Sequence, residues 1–210
     1  MIESIDNVFQ LIITGLCTVI AVYNGLRDGN KLWAVLGLFS GVFFMGDLYW
    51  QLYLVFYDHT PAYSDIPYAS WGASYVFLLL LLAEFQGGAV RQYIKRFWPV
   101  FIFTAGMCAY YMYYGEYLRN IVCAVLMGLL ICRSLGGLAD TGKSEELSGS
   151  RMVYLFVLVF CILEYGLWTA SCIWSGDTIS NPYFWFDFML SIDILLITFA
   201  VRKAVAYGLY

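Results

Sequence analysis

Hydrophobic positions along the chain form seven long runs that are separated by short polar links. A membrane-spanning helix needs about 20 predominantly apolar residues, and each run is close to that length. We therefore predict an all-α membrane protein, a bundle of seven transmembrane helices that forms a single domain over residues 1–210. The predicted spans are 8–25, 32–57, 67–86, 97–114, 117–135, 152–174 and 183–204.

Residues with special backbone preferences stand at several ends of these runs. Asn181 followed by Pro182 predicts the start of the seventh helix, and the glycine pair 136–137 is predicted to end the fifth. Within the second run, Gly37 and Gly41 predict the close approach of another helix. That neighbour would belong either to the same bundle or to a second protomer of a homo-oligomer.

The composition agrees with a chain that lies mostly in lipid. It is 62% hydrophobic and 12% charged, with a mean hydropathy of +0.74, whereas soluble domains carry about 25% charged residues. Glu3 and Asp6 replace the basic start of a removable signal peptide, so we expect the first helix to be retained. None of the six cysteines has metal-site spacing. We expect the lipid bilayer as a partner, and no metal or nucleic acid.

The basic residues predict the orientation, because Lys and Arg concentrate in cytoplasmic loops. Ten of the eleven fall in the first, third and fifth links or in the C-terminal tail, on one side of the predicted bundle. Arg119 is the exception. We therefore predict that the N-terminus lies outside and the C-terminus in the cytoplasm.

Acidic residues lie near the middle of three predicted helices, at Asp47, Glu164 and Asp193. Carboxyl groups in hydrocarbon are expensive and usually face the bundle interior or a cavity. They could form a proton or cation site, or anchor an amine ligand. The alternative is hydrogen bonding between helices, worth ~0.6 kcal/mol on average. Glu84, near the inner end of the third helix, is expected to be structural.

Arg119 enters the fifth helix at about the depth of Asp187 in the seventh. A charge-assisted pair between the two would tie these helices together. Capture of an anionic ligand is the other interpretation of Arg119. Under both interpretations, Arg119 and Asp187 are candidate ligand-binding residues.

Trp and Tyr are abundant in the predicted outer half of the bundle. Most of them fit the aromatic belt that forms at a membrane interface. Trp50, Trp71 and Trp168 differ because each lies close to an acid or a serine on its own helix. We predict that these three form the wall of a ligand pocket.

Catalysis has little support, since the chain has one histidine and lacks the His-Glu-x-x-His and Gly-x-Ser-x-Gly motifs. The remaining enzymatic interpretation is an intramembrane pair of aspartates. Ser40 with Asp47, and Ser191 with Asp193, resemble the paired motifs of lysoplasmalogenase-like membrane hydrolases. That family has eight helices and places its motifs on helices of the same direction, whereas here the two helices run oppositely.

Residues 67–71, Pro-Tyr-Ala-Ser-Trp, and the leucine run 78–82 resemble the third helix of microbial rhodopsins, which share the predicted topology. That family carries retinal on a lysine in the middle of the seventh helix. Residues 187–201 contain no lysine here, and Lys203 lies at the inner end. We therefore expect no retinal Schiff base and no other cofactor.

Residues 46–50, Gly-Asp-Leu-Tyr-Trp, followed by Pro61, Ser64 and an aromatic third helix, resemble the membrane sensor domains that precede bacterial diguanylate cyclases. The resemblance implies ligand sensing in the bacterial cytoplasmic membrane, with output through a cytoplasmic signalling partner. We therefore interpret the chain as a receptor or sensor. Its outward-facing aromatic and acidic pocket would bind a small molecule or a cation.

The alternative function is a small-solute or proton-coupled transporter with three-plus-one-plus-three helices. Residues 46–50 and 67–71 resemble 164–168 and 182–185, as a duplication of three-helix units would produce. A sensor needs one mouth to its pocket, whereas a transporter must reach its central acids from both sides. None of the four prolines lies in mid-helix, unlike in the interrupted helices of many transporters.

Overall fold

Seven α-helices make up the described part of the chain and confirm the predicted all-α class. The computed structural model describes residues 2–57, 65–86, 95–141 and 148–206. The link 58–64, with Pro61 and Ser64, lies outside them. In chain order the described helices are α1 (Ile2–Asp28), α2 (Lys31–Tyr57), α3 (Asp65–Gln86), α4 (Pro99–Met112), α5 (Tyr117–Thr141), α6 (Ser148–Ile173) and α7 (Pro182–Ala206).

Six of these described helices are long and apolar enough to cross a membrane, and α4 is the shorter one. α4 has 14 residues, so at 1.5 Å per residue it extends about 21 Å. The hydrocarbon core of a bilayer is about 30 Å thick. Since the other six helices have the length and composition of membrane spans, the chain is a multi-pass helical membrane protein.

Six helices form a closed ring in which each packs against the next: α1, α2, α3, α5, α6, α7 and again α1. α4 packs mainly against α5, and Tyr111 in its last turn also contacts α6. We call the end that holds the N-termini of α1, α3, α5 and α7 the N-terminal end of the bundle. The opposite end is the C-terminal end.

α1 has its polar side facing the bundle and its apolar side facing outward. The buried residues of α1 recur every three or four positions: Asp6, Gln10, Thr14, Cys17 and Ala21. The first three of them are polar. Large apolar side chains cover the opposite face and are exposed, as a lipid-facing helix requires. Because α1 begins at Ile2, six residues before the predicted start, it also brings Asp6 and Asn7 into the bundle.

The predicted start of α7 is confirmed, while the predicted end of α5 is wrong. Asn181 caps α7 by accepting a hydrogen bond from the backbone N–H of Tyr183, at 3.0 Å. α5, however, continues through the glycine pair 136–137 to Thr141. A Cβ at Gly137 would lie 2.5 Å from the ring of Tyr154. This glycine therefore permits a close contact with α6 and does not end its helix.

Gly37 and Gly41 make the predicted close approach within the bundle. A Cβ at Gly37 would lie 3.5 Å from Val22, and one at Gly41 would lie 3.3 Å from Thr18. Both neighbours belong to α1. The two glycines therefore allow α1 and α2 to pack closely. This contact within the bundle accounts for both glycines without a contact between protomers.

Apolar side chains fill the centre of the ring below the level of the buried acids. Phe160 of α6 is fully buried one turn below Glu164. Its ring lies 5.9 Å from that of Phe39, 6.5 Å from that of Phe43 and 5.7 Å from that of Tyr75, measured between centroids. This core forms a floor beneath the N-terminal end of the bundle.

Candidate functional site

A cavity of about 270 Å³ lies at the N-terminal end of the bundle. Its wall includes residues from all seven helices. Seven of the eight predicted ligand-binding residues line it: Asp47, Trp50, Trp71, Arg119, Glu164, Trp168 and Asp187. Asp193 is the exception. The other functional side chains come from positions that the sequence did not single out.

Asp47 lies on the α2 side of the cavity, and it is 4% exposed. The indole N–H of Trp71 donates to Oδ1 at 3.0 Å, and the hydroxyl of Thr14 donates to Oδ2 at 3.1 Å. The absence of a side chain at Gly46 makes room for this arrangement, because a Cβ there would lie 2.9 Å from Nε1 of Trp71. Asp47 thus joins α1, α2 and α3 through one carboxyl group.

Glu164 occupies the α6 side of the cavity and is 2% exposed. The hydroxyl of Tyr75 and the indole of Trp168 are polar groups close to its carboxyl. Tyr111 continues this side of the cavity from α4. Its hydroxyl lies 2.9 Å from that of Thr169 and 3.2 Å from the backbone carbonyl of Tyr165. The last turn of α4 is thereby fixed to α6.

Asp187 supplies the third buried carboxyl group, and its position corrects one expectation. It accepts a hydrogen bond from the side-chain amide of Gln10 and does not pair with Arg119. The guanidinium of Arg119 instead lies over the ring of Tyr68, with Cζ 3.7 Å from the centroid. Among the described residues, the carboxylate of Glu116 lies 3.6 Å from this guanidinium. Equal depth in two helices did not imply that the side chains face each other.

Aromatic rings form two clusters on the walls between these acids. On the α2–α3 side, the Trp71 centroid lies 6.1 Å from that of Trp50 and 5.2 Å from that of Tyr68. On the α6 side, the Trp168 centroid lies 6.4 Å from that of Tyr75 and 5.9 Å from that of Tyr111. The cavity therefore presents ring faces and edges next to carboxyl groups.

Other tryptophans of the N-terminal end behave as the sequence suggested for an interface belt. Trp174 and Trp185 are 46% and 50% exposed, and neither lines the cavity. The indole of Trp185 donates to the backbone carbonyl of Ile179 at 2.8 Å. The structure thus separates the tryptophans of the cavity from those of the surface.

Asp193 is buried outside the cavity, on a different side of α7 from Asp187. It is 2% exposed, and Cys161 of α6 is near it. Neither carboxyl oxygen has a hydrogen-bond partner among the described residues. Asp47 and Asp193 therefore do not share a cavity, and the paired-aspartate arrangement of a hydrolase is not assembled around this one.

The site also depends on residues that the sequence analysis missed. Gln10 and Thr14 bind two of the acids, and both belong to the polar stripe that repeats every three or four residues in α1. That spacing within an otherwise apolar run was the signal that could have identified them. Tyr75 and Tyr111 had no comparable signal, since tyrosine is common throughout the chain.

Comparisons with known proteins add no further assignment. No protein family model, no curated protein sequence and no solved structure shows a significant match to this chain.

Proposed function

We propose that this chain is a membrane receptor that binds a small organic cation in the aromatic and acidic cavity. The wall of the cavity is the observation that carries the proposal: Asp47, Glu164 and Asp187 are buried there beside two clusters of aromatic rings. A cation over an aromatic face gains about 0.5–1 kcal/mol at exposed sites and about 2 kcal/mol when desolvated. Buried carboxyl groups would supply the opposite charge.

The electrostatics of the cavity support a cationic ligand. The carboxyl group of Asp187 is close enough to those of Asp47 and Glu164 for mutual repulsion. Among the described residues, no Lys or Arg makes an ion pair with any of the three. A ligand ammonium would provide the missing positive charge. Such a site differs from an apolar pocket, which would not distinguish an amine from a neutral molecule of the same shape.

The packing below the cavity supports a receptor over a transporter. Phe39, Leu78 and Phe160 are fully buried between the acids and the C-terminal end of the bundle. A ligand bound among the aromatic rings therefore has access from the N-terminal end and is blocked by side chains in the other direction. We expect a single mouth of this kind in a receptor.

In the proposed orientation, all seven helices span the membrane with the N-terminus outside and the cavity opening outward. The resemblance to sensor domains then suggests a bacterial cytoplasmic membrane and a signalling partner on the cytoplasmic side. Single cysteines placed in the links 58–64 and 142–147, both outside the described residues, should test this orientation. The first should react with an impermeant maleimide on intact cells and the second only after lysis. The unmodified chain controls for its six native cysteines, and the opposite pattern would refute the orientation.

A binding assay with defined amines tests the proposed ligand class. The purified protein would be titrated with choline, tetramethylammonium and n-butylamine, each paired with its neutral isostere where one exists. The readouts are tryptophan emission, since Trp50, Trp71 and Trp168 line the cavity, and the thermal unfolding temperature. We expect saturable binding of at least one cation, and no binding of its neutral counterpart.

Asp47→Asn is the sharpest variant for this assay. The amide oxygen can still accept from Trp71, and the amide nitrogen can donate to the hydroxyl of Thr14, which can turn to the carbonyl of Gln10 at 2.9 Å. The fold should therefore persist while the charge is lost. Glu84→Gln is the matched control, because Glu84 is exposed near the other end of α3.

The outcomes of this comparison are distinct. Loss of cation binding in Asp47→Asn, with binding retained in Glu84→Gln, supports a cation site at Asp47. Equal binding by both variants would show that Asp47 is structural. If no amine binds to the unmodified protein at millimolar concentration, the proposed ligand class is wrong.

A proton-coupled transporter is the second candidate, and Asp193 is the observation that favours it. A buried carboxyl group with no partner among the described residues is a group that could gain and lose a proton during transport. Proteoliposomes with an imposed pH gradient test this function. Uptake of a labelled amine that depends on the gradient, and that disappears in Asp193→Asn, would favour the transporter over the receptor.

A further inference from the structure

Arg119 is the cation at the rim of the cavity. Its guanidinium stacks on an aromatic ring and donates no hydrogen bond to a described residue. Its Cζ atom lies 3.7 Å from the centroid of Tyr68, and its side chain is 30% exposed. No described residue accepts a hydrogen bond from it, although guanidinium carries five N–H donors. A positioned guanidinium with free donors on a cavity wall is suited to binding an anion.

Glu116 is a weak competitor for this guanidinium. The two groups are 3.6 Å apart, and the Glu116 side chain is 51% exposed. That separation exceeds the 2.7–3.2 Å of a hydrogen bond, and exposed ion pairs have a median worth of about 0–1 kcal/mol. Glu116 also has a φ of 60°, and Gly115 before it has a φ of 106°. A ligand anion that binds Arg119 through two parallel hydrogen bonds would make a stronger contact.

The rim cation and the deep acids lie at different depths of the same cavity. Arg119 is the third residue of α5, Asp47 lies ten residues before the end of α2, and Glu164 lies nine before the end of α6. At 1.5 Å per residue, the Cα atom of Arg119 lies about 3 Å from its helix end at the N-terminal end of the bundle. The Cα atoms of the two acids lie about 14–15 Å from theirs. The helix positions of Arg119 and of the two acids therefore differ by about 11–12 Å along the bundle axis, and a ligand with two separated charges can reach both kinds of group.

We propose that the ligand is a zwitterion, with an ammonium group beside Asp47 and Glu164 and a carboxylate or phosphate on Arg119. This inference rests on the proposed function, which supplies the cation site. It adds that the anionic end is recognised at the rim, where Arg119 exchanges its contact with Glu116 for the ligand. A betaine or a phosphocholine group has the required chemistry.

The experiment compares a zwitterion with the same molecule after its negative charge is removed. The probe pairs are γ-butyrobetaine with its methyl ester, and phosphocholine with choline. Dissociation constants would be measured from tryptophan emission with the full chain in phosphatidylglycerol nanodiscs, whose lipid carries no ammonium. In the unmodified protein, at least one zwitterion should bind about tenfold more tightly than its cationic partner, as hydrogen bonds to charged groups predict.

Two variants on the rim should change this preference in opposite directions. Arg119→Gln should abolish the preference for the zwitterion over the cation. Glu116→Gln should increase the preference, because it removes the carboxylate that competes for Arg119. An increase cannot come from misfolding, so the second variant keeps the test decisive. Arg151→Gln is the matched control, since Arg151 is an exposed residue at the C-terminal end of the bundle.

The possible results separate this inference from the proposed function. If the methyl ester and choline bind as tightly as the zwitterions, the cation site stands and the zwitterion is refuted. If neither cations nor zwitterions bind, both proposals fail. If the zwitterion preference is present but vanishes in phosphatidylcholine nanodiscs, the lipid headgroup competes for the site, which identifies a membrane source for the same chemistry.

Discussion

Gly149→Ala should destabilise the bundle by forcing α6 and α7 apart. A Cβ at Gly149 would lie 2.8 Å from Cα of Ala204 and 2.9 Å from its backbone nitrogen. Carbon atoms pack best at about 3.5–4.0 Å, so the two helices must separate locally by about 0.7 Å. The obstacle is backbone, and it cannot move away as the end of a flexible side chain can.

The magnitude follows from this displacement. Overpacking of a well-packed interior costs about 1–3 kcal/mol, and a gap of about 0.5–1 Å loses a quarter to a half of each neighbouring dispersion contact. We expect about 2 kcal/mol. For a chain of this size, that corresponds to a decrease of about 4–8 °C in Tm.

Gly106→Ala is the control, because no atom lies within 4 Å of a Cβ at Gly106 in α4. Both variants add one methyl group to a helix, and the gain in helix propensity from Gly to Ala is at most about 1 kcal/mol, so a Tm that falls only in Gly149→Ala reports the contact with Ala204. The assay is thermal unfolding in one detergent, followed by tryptophan emission. Equal Tm values for the two variants would refute the close approach of α6 and α7 at this position.

Three further predictions concern single polar groups, and all are read from Tm in the same detergent. Trp71→Phe keeps a ring but removes the N–H that donates to Asp47, so Tm should fall by an amount equivalent to about 0.5–1.5 kcal/mol; an unchanged Tm would contradict the bond. Asp193→Leu should raise Tm, because it replaces a buried carboxyl group that has no described partner; a decrease would reveal a partner. Asp187→Leu should lower Tm by leaving the amide of Gln10 unpaired, and equal effects of the two leucine variants would refute the distinction.

Position along the bundle axis could be predicted from the sequence, while direction around each helix could not. The positions of Asp47 and Glu164 within their runs were sufficient to place both near the middle of the bundle. Asp187 and Asp193 are six residues apart in α7, which corresponds to about 240° around the helix axis. Only Asp187 therefore faces the cavity. The expected pair of Arg119 and Asp187 failed for the same reason.

The first helix shows what a hydropathy pattern conceals. Its apolar run suggested a start at residue 8, because Glu3, Asp6 and Asn7 made the preceding segment look like a tail. In the folded chain those polar side chains belong to the inward face of α1, and the opposite, apolar face is the one exposed to lipid. Gln10 and Thr14 lie within the predicted run, and they were missing from the predicted site because the polar stripe was not recognised, although they bind Asp187 and Asp47.

The short α4 has a consequence for the surrounding bilayer. A helix of 14 residues beside neighbours of 25 or more gives the protein one flank whose hydrophobic height is lower than that of the rest. Lipids adjust to such mismatch by local thinning, at a cost of fractions of a kcal/mol per Å. Because the last turn of α4 carries Tyr111 into the cavity wall, we expect bilayer thinning beside α4 to affect an element of the site itself. Acyl-chain length is thus a variable that can change the geometry of this cavity without any ligand.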